Sequence, residues 1–263
     1  MIGLNMERKN TTRVVMVLGL GLLSCRKQPP QVEPVTSAAV PAAPNSQAVH
    51  DPGHPPIECP LAKHGIKPAH LRPFEDVDKY IDFLERPDRE RWQRPDAIVA
   101  ALGLTGNEIV ADLGAGSGYF SFRFARALPR GSVVATDIEP EMVRAMHHKA
   151  MTEGIGNLRV VLGKAEDPDV PPHANLVFVC DVLHHVSDRS AWLGKLAAEM
   201  TEGARLVLIE FKEGQLPEGP PEDAKIPKAT LISLVTHTGM GLESDRSDLL
   251  PYQSFLVFRK SKR

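Results

Sequence analysis

Short apolar runs alternate with amphipathic segments between residues 104 and 211. Each run is rich in branched and aromatic residues and too short for a buried helix, which favours strands. The segments between the runs place apolar residues at helical spacing, which favours helices packed on a sheet. The alternation predicts a doubly wound, Rossmann-like α/β domain with a mostly parallel sheet and helices on both faces. The predicted strands are EIVADL (108–113), SVVATD (132–137), LRVVLG (158–163), NLVFVCD (175–181) and ARLVLIEF (204–211).

Further helices and two more strand candidates flank this region. Upstream, residues 74–104 carry two helical patterns, and Pro95 suits the first turn of the second one. Downstream, a proline-rich loop at 212–227 precedes a helix to about residue 238. The two strand candidates, GLESDRSDLL (241–250) and SFLVFRK (254–260), bring the expected sheet to seven strands. Helices are predicted between the strands in YFSFRFARAL (119–128), PEMVRAMHHKAM (140–151) and RSAWLGKLAAEM (189–200).

The N-terminal segment has the layout of a secretory signal peptide. Arg8, Lys9 and Arg13 precede an apolar run at 14–23 that is too short to span a bilayer as a helix. The run continues into LLSC, which resembles a bacterial lipobox and implies a lipid anchor on Cys25. The alternative is an apolar leader with an incidental cysteine.

This reading divides the chain into three parts. We expect a signal peptide at 1–24, a disordered Pro/Ala-rich tether at 25–70 and a folded domain at 71–263. The anchor implies a membrane lipoprotein on the periplasmic side, and Arg26 after the lipidated cysteine favours the outer over the inner membrane. If the signal is spurious, the protein is expected in the cytoplasm.

Composition limits the classes of partner. The chain has 31 Lys and Arg against 33 Asp and Glu, and 5% aromatic residues, so neither a basic field nor stacking platforms favour nucleic acid. Three cysteines are too few and too scattered for a disulfide framework. The oligomeric state is left open by the sequence.

Several potential metal ligands cluster before the folded domain. Their spacing matches no zinc module, and the neighbouring prolines favour an open chain, so we predict no metal site. The residues are His50, His54, Cys59, His64 and His70.

A glycine-rich loop follows the first predicted strand in the sequence DLGAGSG. Gly114, Gly116 and Gly118 let the backbone turn sharply and present amide groups to a ligand. A dinucleotide fingerprint spaces its second and third glycines by three residues and leaves room for a pyrophosphate. Here the spacing is two, and Asp112 would repel a pyrophosphate and attract a cation. Asp137, at the tip of the second strand, can accept hydrogen bonds from a ribose in either case.

The motifs DLGAGSG and TDIEP resemble those of the class I S-adenosylmethionine (SAM) dependent methyltransferases, from roughly Trp92 to the C-terminus. The resemblance implies the class I methyltransferase fold, methyltransferase activity and SAM as cofactor. It implies that Asp112 and residues of the loop hold the methionine part, and that Asp137 binds the ribose with Ile138 beside the adenine. The loop residues concerned are Gly114, Ala115, Gly116, Ser117 and Gly118.

The resemblance also assigns two later segments to the cofactor. Lys164, Ala165 and Glu166 would enclose the adenine, and Cys180 and Asp181 would face both cofactor and acceptor. The chain departs from the family at both places. Lys164 replaces the usual acid or amide, which puts side-chain recognition of the adenine amino group in doubt, and the fourth strand starts with Asn175 and Leu176 instead of an Asp. Cys180 is interpreted as a small buried residue.

Two histidines follow the fourth strand and are the candidate catalytic residues. Methyl transfer mainly requires alignment of donor and acceptor. A base is needed only if the acceptor is a hydroxyl, an ammonium or a carbon acid, and His184 or His185 could then take the proton. The alternative is that both histidines are structural.

The acceptor itself is not identified by the sequence, although a small molecule is favoured over a macromolecule. The segment RPDRERWQRP and the loop at 212–227 are expected to select it. Trp92, in the first of these, is expected to pack the leading helix or to cover the pocket. Alternatives to a methyltransferase are a tethered SAM-binding or nucleoside-binding module without activity, a dinucleotide oxidoreductase and a structural α/β domain.

Metabolic labelling with a fatty acid tests the lipid anchor. We expect label on the wild type and none on Cys25→Ala, because the acyl chains attach to that residue. Cys59→Ala, which removes another cysteine upstream of the folded domain, should be labelled like the wild type. Equal labelling of the wild type and Cys25→Ala would contradict the lipoprotein prediction.

Overall fold

The computed structural model of the chain describes residues 74–262, with side chains from residue 77 onward. The predicted signal peptide, the tether, Cys25 and the histidine and cysteine group at 50–70 lie outside these residues. No helix in residues 74–262 is long and apolar enough to cross a membrane.

Seven helices and seven strands form the part of the chain that the structure describes, with two short 3₁₀ turns at Leu183–His185 and Glu222–Ala224. The helices are α1 (Phe74–Leu84), α2 (Arg89–Gln93), α3 (Pro95–Ala101), α4 (Ser121–Ala127), α5 (Pro140–Thr152), α6 (Arg189–Glu199) and α7 (Lys228–Thr236). The strands are β1 (Ile109–Leu113), β2 (Ser132–Asp137), β3 (Leu158–Leu162), β4 (Leu176–Cys180), β5 (Arg205–Phe211), β6 (Met240–Asp245) and β7 (Gln253–Lys260).

The seven strands form one sheet in the order β3-β2-β1-β4-β5-β7-β6. Strands β1 to β5 are parallel to one another, whereas β7 is antiparallel to β5 and to β6. The chain reverses its direction of winding between β1 and β4. At such a switch point the connections diverge to opposite sides and leave a crevice at the carboxyl ends of the strands.

Each face of the sheet packs against its own set of helices. On one face Val110 and Phe178 bury their side chains against Phe124 and other residues of the α3, α4 and α5 layer. On the other face Ala111 and Val177 pack in the cluster that holds Trp192 of α6. Successive residues of a strand point to opposite faces, so a strand buried on both sides must be apolar throughout. The predicted doubly wound sheet with helices on both faces is confirmed.

Two details differ from the sequence-based prediction. The strand expected at 241–250 ends at Asp245, because the Asp245 carboxylate accepts a hydrogen bond from the Ser247 amide (2.9 Å) and closes a turn. The region before β1 contains the short helix α2, which the sequence did not separate from its neighbours. Pro95 does occupy the first turn of α3, as predicted.

The loop after β1 allows no side chain at its first glycine. Gly114 has φ +71°, and a Cβ atom there would lie 2.5 Å from Cγ2 of Val182, which follows β4. A distance below 3 Å requires the backbone or Val182 to move. Glycine is therefore required at this position for two reasons. The backbone is left-handed, and the segment that follows β4 approaches closely.

We expect Gly114→Ala to destabilise the protein more than Gly154→Ala. Gly154 also has a positive φ, +67°, but a Cβ there would contact nothing within 4 Å. The control should lose about 1 kcal/mol from backbone strain, whereas Gly114→Ala adds an overpacking cost of about 1–3 kcal/mol. Denaturant unfolding measures both. Equal losses would show that the approach of Val182 imposes no constraint.

Candidate active site

A large cavity lies at the carboxyl ends of the strands, where the sheet order switches. Its volume is about 1080 Å³. Its wall includes all but one of the predicted site residues: Asp112, Gly114, Ala115, Gly116, Ser117, Asp137, Ile138, Lys164, Ala165, Glu166, Cys180, Asp181, His184 and His185. The exception is Gly118, which packs closely against α4, since a Cβ there would lie 2.7 Å from Phe122.

Asp112 is buried at the end of β1. Its Oδ2 accepts a hydrogen bond of 2.5 Å from the Ser121 hydroxyl at the start of α4. Burial raises the pKa of Asp112 to about 7, because the bond from Ser121 only partly offsets the loss of water and the charge of Asp137 adds to the rise. In the free protein this carboxyl therefore releases its proton less readily than an exposed aspartate does.

Asp137 ends β2 and holds the glycine loop. Its Oδ2 accepts a hydrogen bond from the Gly116 amide (2.7 Å), and its Oδ1 accepts one from the Glu139 amide (2.9 Å). Burial raises the pKa of Asp137 despite these two bonds. The next side chain, Ile138, is 53% exposed and offers an apolar surface at the cavity wall. An acid followed by an exposed apolar residue suits a ribose next to an aromatic base.

The loop after β3 forms another part of the wall. Lys164 and Asp167 pair as an isolated antiparallel bridge, and the Glu166 carbonyl accepts a hydrogen bond from Lys195 of α6 (2.8 Å). Lys164, Ala165 and Glu166 thus line the cavity where the sequence expected them. Their contacts to an adenine remain a prediction.

Two buried side-chain amides hold Cys180 and Asp181 at the carboxyl end of β4. The sequence analysis did not identify either amide. Gln253 Nε2 donates to both carboxylate oxygens of Asp181 (2.8 Å each), and Gln93 Nε2 donates to Asp181 Oδ2 (3.1 Å) and to Cys180 Sγ (3.2 Å). Burial and the charge of Glu210 raise the pKa of Asp181 to about 6. Burial also raises the pKa of Cys180, so this residue remains a neutral thiol and not a nucleophile.

His184 forms a buried pair with a carboxylate of β5. Its Nδ1 lies 2.8 Å from Oε2 of Glu210, and Oε1 of Glu210 accepts a hydrogen bond from the Leu183 amide (2.6 Å). The side chains are 7% and 1% exposed. Because a carboxylate only accepts, Nδ1 carries the proton and Nε2 of the neutral ring is the basic nitrogen. Burial lowers the pKa of His184, but the hydrogen bond and charge of Glu210 outweigh it and raise the pKa overall.

His185 is less suited to accept a proton than His184. It is exposed, and no carboxylate pairs with it among the residues described. Burial and the nearby charge of His184 lower its pKa. The two rings lie 4.0 Å apart between centroids. The geometry favours His184 as the base, with His185 beside it at the cavity wall.

Aromatic side chains from α1, α2 and the end of β5 form another part of the cavity wall. Tyr80 and Phe83 of α1 stack with a centroid distance of 6.4 Å, and Trp92 packs against Phe211 at 5.6 Å. Both segments expected to select the acceptor line the cavity, including residues 217–220 of the proline-rich loop. Trp92 is 8% exposed and also lines the cavity.

Sequence reasoning missed several residues of the site. Glu210 carried a detectable signal, since it is the one charged residue inside the apolar run LVLIEF. No signal in the sequence pointed to the other three residues. They are Arg89, whose guanidinium lies 4.0 Å from the Tyr119 ring centroid, and the amides Gln93 and Gln253. Within residues 74–262 no group of three His, Cys, Asp or Glu could hold a metal ion.

Comparison with known proteins agrees with this fold. Residues 110–203 match the family model described as a methyltransferase domain. A SAM-dependent methyltransferase from Aquifex aeolicus superposes with a TM-score of 0.63 at 20% identity, over 72% of this chain and 98% of that chain. The described chain has the class I methyltransferase fold, and the fold prediction is confirmed.

Two other similar proteins differ from each other in the reaction for which they are named. The C-methyltransferase UbiE of ubiquinone and menaquinone biosynthesis from Proteus mirabilis is 29% identical over 125 residues, which is 46% of this chain and 49% of that protein. The chain thus spans about half the length of this relative. The [4+2]-cyclase SpnF superposes with a TM-score of 0.57 at 12% identity, over 65% of this chain and 81% of that chain. The comparisons support a SAM-dependent methyltransferase and leave the acceptor open.

The buried carboxyl of Asp112 predicts how stability depends on pH. Its pKa is about 7 in the folded protein and about 4 in an unfolded chain. Between these values the folded protein keeps a proton that the unfolded chain has released, so stability falls as pH rises from about 4 to about 7. Asp112→Asn lacks this carboxyl, so its stability does not fall with pH for this reason. Its stability relative to the wild type should increase between pH 4 and pH 8, by at most about 4 kcal/mol.

Thermal unfolding at several pH values measures this difference. The control is Asp248→Asn, which removes an exposed carboxyl. If the difference between Asp112→Asn and the wild type depended on pH no more than that of the control, the raised pKa would be refuted.

Proposed function

We propose that the protein is a SAM-dependent methyltransferase that acts on a small acceptor. The carrying observation is the pair of buried carboxyls, Asp112 and Asp137, on either side of the glycine loop. Burial makes a second negative charge costly there, so a diphosphate is disfavoured and a positively charged nucleoside is favoured. SAM combines a ribose with an ammonium and a sulfonium.

The residues present fit such a cofactor. Asp112 and the loop amides would hold the methionine part, Asp137 the ribose, and Ile138 one face of the adenine. The Ser117 hydroxyl is buried at the cavity wall and has no hydrogen-bond partner in the described chain, which leaves it available to a ligand. When bound, SAM supplies an electrophilic methyl group on a positively charged sulfur.

The side chains of this chain would contribute alignment and proton transfer. The aromatic wall and the residues after β4 would hold an acceptor against the cofactor. This alignment is the larger part of catalysis in methyl transfer. His184 would take a proton if the acceptor carries one on the attacking atom, and His185 could contact the acceptor.

The acceptor is proposed to be a small organic molecule. The relative from Proteus mirabilis is named for methylation in ubiquinone and menaquinone biosynthesis, which supports a small-molecule acceptor. A binding module without transferase activity is the second candidate. It is favoured by one observation, that a protein described as a cyclase shares the fold.

The location of the protein is a separate proposal. The lipobox-like sequence supports anchoring through Cys25 on the periplasmic side, at the outer membrane in preference to the inner one. Such a location requires SAM to reach that compartment. Without the anchor, the proposed location is the cytoplasm.

Calorimetric titration tests the cofactor. We expect SAM and S-adenosylhomocysteine to bind and NAD not to bind. The affinity for SAM should rise by up to about tenfold from pH 6 to pH 8, because Asp112 loses its proton in this range and then attracts the ammonium. Asp112→Asn should bind more weakly and without this rise, whereas Asp248→Asn should follow the wild type.

Binding of NAD without SAM would reject the proposal. Binding of SAM without methylated product, after incubation with small molecules extracted from cells, would favour the module without activity.

A further inference from the structure

A second, smaller cavity lies at the amino ends of the parallel strands, on the side of the sheet away from the candidate active site. It is an open groove with a volume of about 310 Å³. We propose that this groove binds a phosphate group, carried by a small soluble molecule or by a phospholipid headgroup. The inference goes beyond the proposed function and does not depend on it. It is carried by the hydrogen-bond donors that the groove leaves unused and by the cations around it.

The sheet topology brings the residues of the groove together. Glu108 and Asn175 directly precede β1 and β4, and Arg205 is the first residue of β5. These three strands are parallel neighbours, so their amino ends lie side by side. Strand β7 runs in the opposite direction, and its register with β5 places Arg259 directly opposite Arg205. Two arginines remote in sequence therefore line the same groove.

The two side-chain amides of the groove have engaged oxygens. Oδ1 of Asn107 accepts a hydrogen bond from Nε of Arg130 (2.7 Å), and Oδ1 of Asn175 accepts one from the Ile109 amide (2.7 Å). Each bond fixes the orientation of its amide, because the partner can only donate. No hydrogen bond within residues 74–262 engages either Nδ2 group. The amides thus offer donors to a ligand and no acceptor.

The two arginines also keep donors in reserve. Arg205 donates from Nη1 to the Leu102 carbonyl (2.8 Å), and no carboxylate of the described chain pairs with it. Arg259 donates from Nη1 to the Gly203 carbonyl (2.9 Å), and its Nε lies 2.6 Å from Oε2 of Glu243. Nη2 of both arginines, and Nε of Arg205, have no partner among the described residues. The planar donors of a guanidinium match the oxygens of a phosphate.

The carboxylate in the groove wall, Glu108, has both oxygens engaged by its own loop. Oε1 accepts hydrogen bonds from the amide and the hydroxyl of Thr105 (2.8 Å each), and Oε2 accepts from the amides of Gly106 and Asn107 (3.0 and 3.1 Å). Burial alone would raise the pKa of Glu108, but these hydrogen bonds outweigh it and lower the pKa. Glu108 therefore fixes the loop, and its lone pairs do not compete for the free donors of the groove.

The cations around the groove outnumber the acids. Arg130 is held to Asn107, and a Cβ at Gly203 would lie 3.2 Å from Cε of Lys262, so both cations reach the groove wall. A surplus of positive charge attracts an anion. Like charges opposite each other on neighbouring strands also repel, and an anion between the two arginines would relieve that repulsion. The cations are Arg130, Arg205, Arg259, Lys260 and Lys262, and the acids are Glu108, Glu202 and Glu243.

A phosphate group suits these donors better than a carboxylate does. The unused N–H groups belong to four side chains from four segments of the chain, and a phosphate has more oxygens to share among them than a carboxylate. The groove volume of about 310 Å³ lies at the lower end of the range for small-molecule sites, about 300–1,000 Å³. The groove therefore has room for a small organic group that carries the phosphate.

Calorimetric titration of the full-length protein with inorganic phosphate tests the groove, at a constant ionic strength set with sodium chloride. We expect saturable binding to the wild type. In Arg205→Gln the affinity should fall about tenfold or more, because a charge-assisted contact is lost. Asn107→Asp should bind at least as weakly. Its carboxylate can still accept from Arg130, but it replaces a donor with a negative charge.

Arg91→Gln is the matched control for the loss of a positive charge. Arg91 is exposed and lines neither cavity, so this variant should bind phosphate like the wild type. Thermal unfolding of each variant shows whether it is folded, and Asn107→Asp, which alters an exposed loop residue, decides the matter if Arg205→Gln is unstable. Absence of phosphate binding by the wild type, or wild-type affinity in the folded groove variants, would overturn the inference.

Two further probes distinguish the sources of the phosphate. Glycerol 3-phosphate is a monoester that carries close to two negative charges at about pH 7.5. Glycerophosphoglycerol, the deacylated headgroup of phosphatidylglycerol, is a diester with a single charge. Tighter binding of the diester would assign the groove to a lipid headgroup, and tighter binding of the monoester to a soluble phosphorylated molecule. Neither result bears on SAM, because the two cavities lie at opposite ends of the strands.

Discussion

The burial of two carboxyl groups at one edge of the sheet is the constraint around which the site is organised. Asp112 and Asp137 end neighbouring strands, and the register pairs Leu113 with Thr136. Each charge is costly away from water. The Ser121 hydroxyl and the Gly116 and Glu139 amides offset part of that cost. The remaining cost leaves the free protein less stable, and a positively charged ligand would reduce it.

A second group of charges lies at the same edge, around β4 and β5. The register pairs Cys180 with Ile209, so Asp181, the first residue after β4, lies beside Glu210 of β5. Two amide side chains bind Asp181, and the imidazole of His184 pairs with Glu210. The two groups divide the work of the proposed reaction. In that reaction the first group would bind a cation and the second would accept a proton.

Much of this arrangement could be predicted from the chain alone. The strands are apolar because both faces of the sheet are covered, and the closely spaced glycines after β1 predicted the tight turn that Gly114 makes with φ +71°. The roles of Gln93 and Gln253 could not be predicted. They lie 160 residues apart in the sequence and meet only because β7 inserts between β5 and β6 and α2 packs across the β4 exit. A buried glutamine has no local pattern that reveals its partner.

The sequence by itself determined the sheet, the glycine loop, the two acids beside it and the histidine pair, because strand periodicity and loop conformation are local properties of the chain. The tertiary structure decided which histidine has a carboxylate partner, how far the pKa of each acid moves and which aromatic side chains share the cavity. These depend on burial and on distances between residues remote in sequence. Such quantities exist only once the strands are in register and the helices are packed.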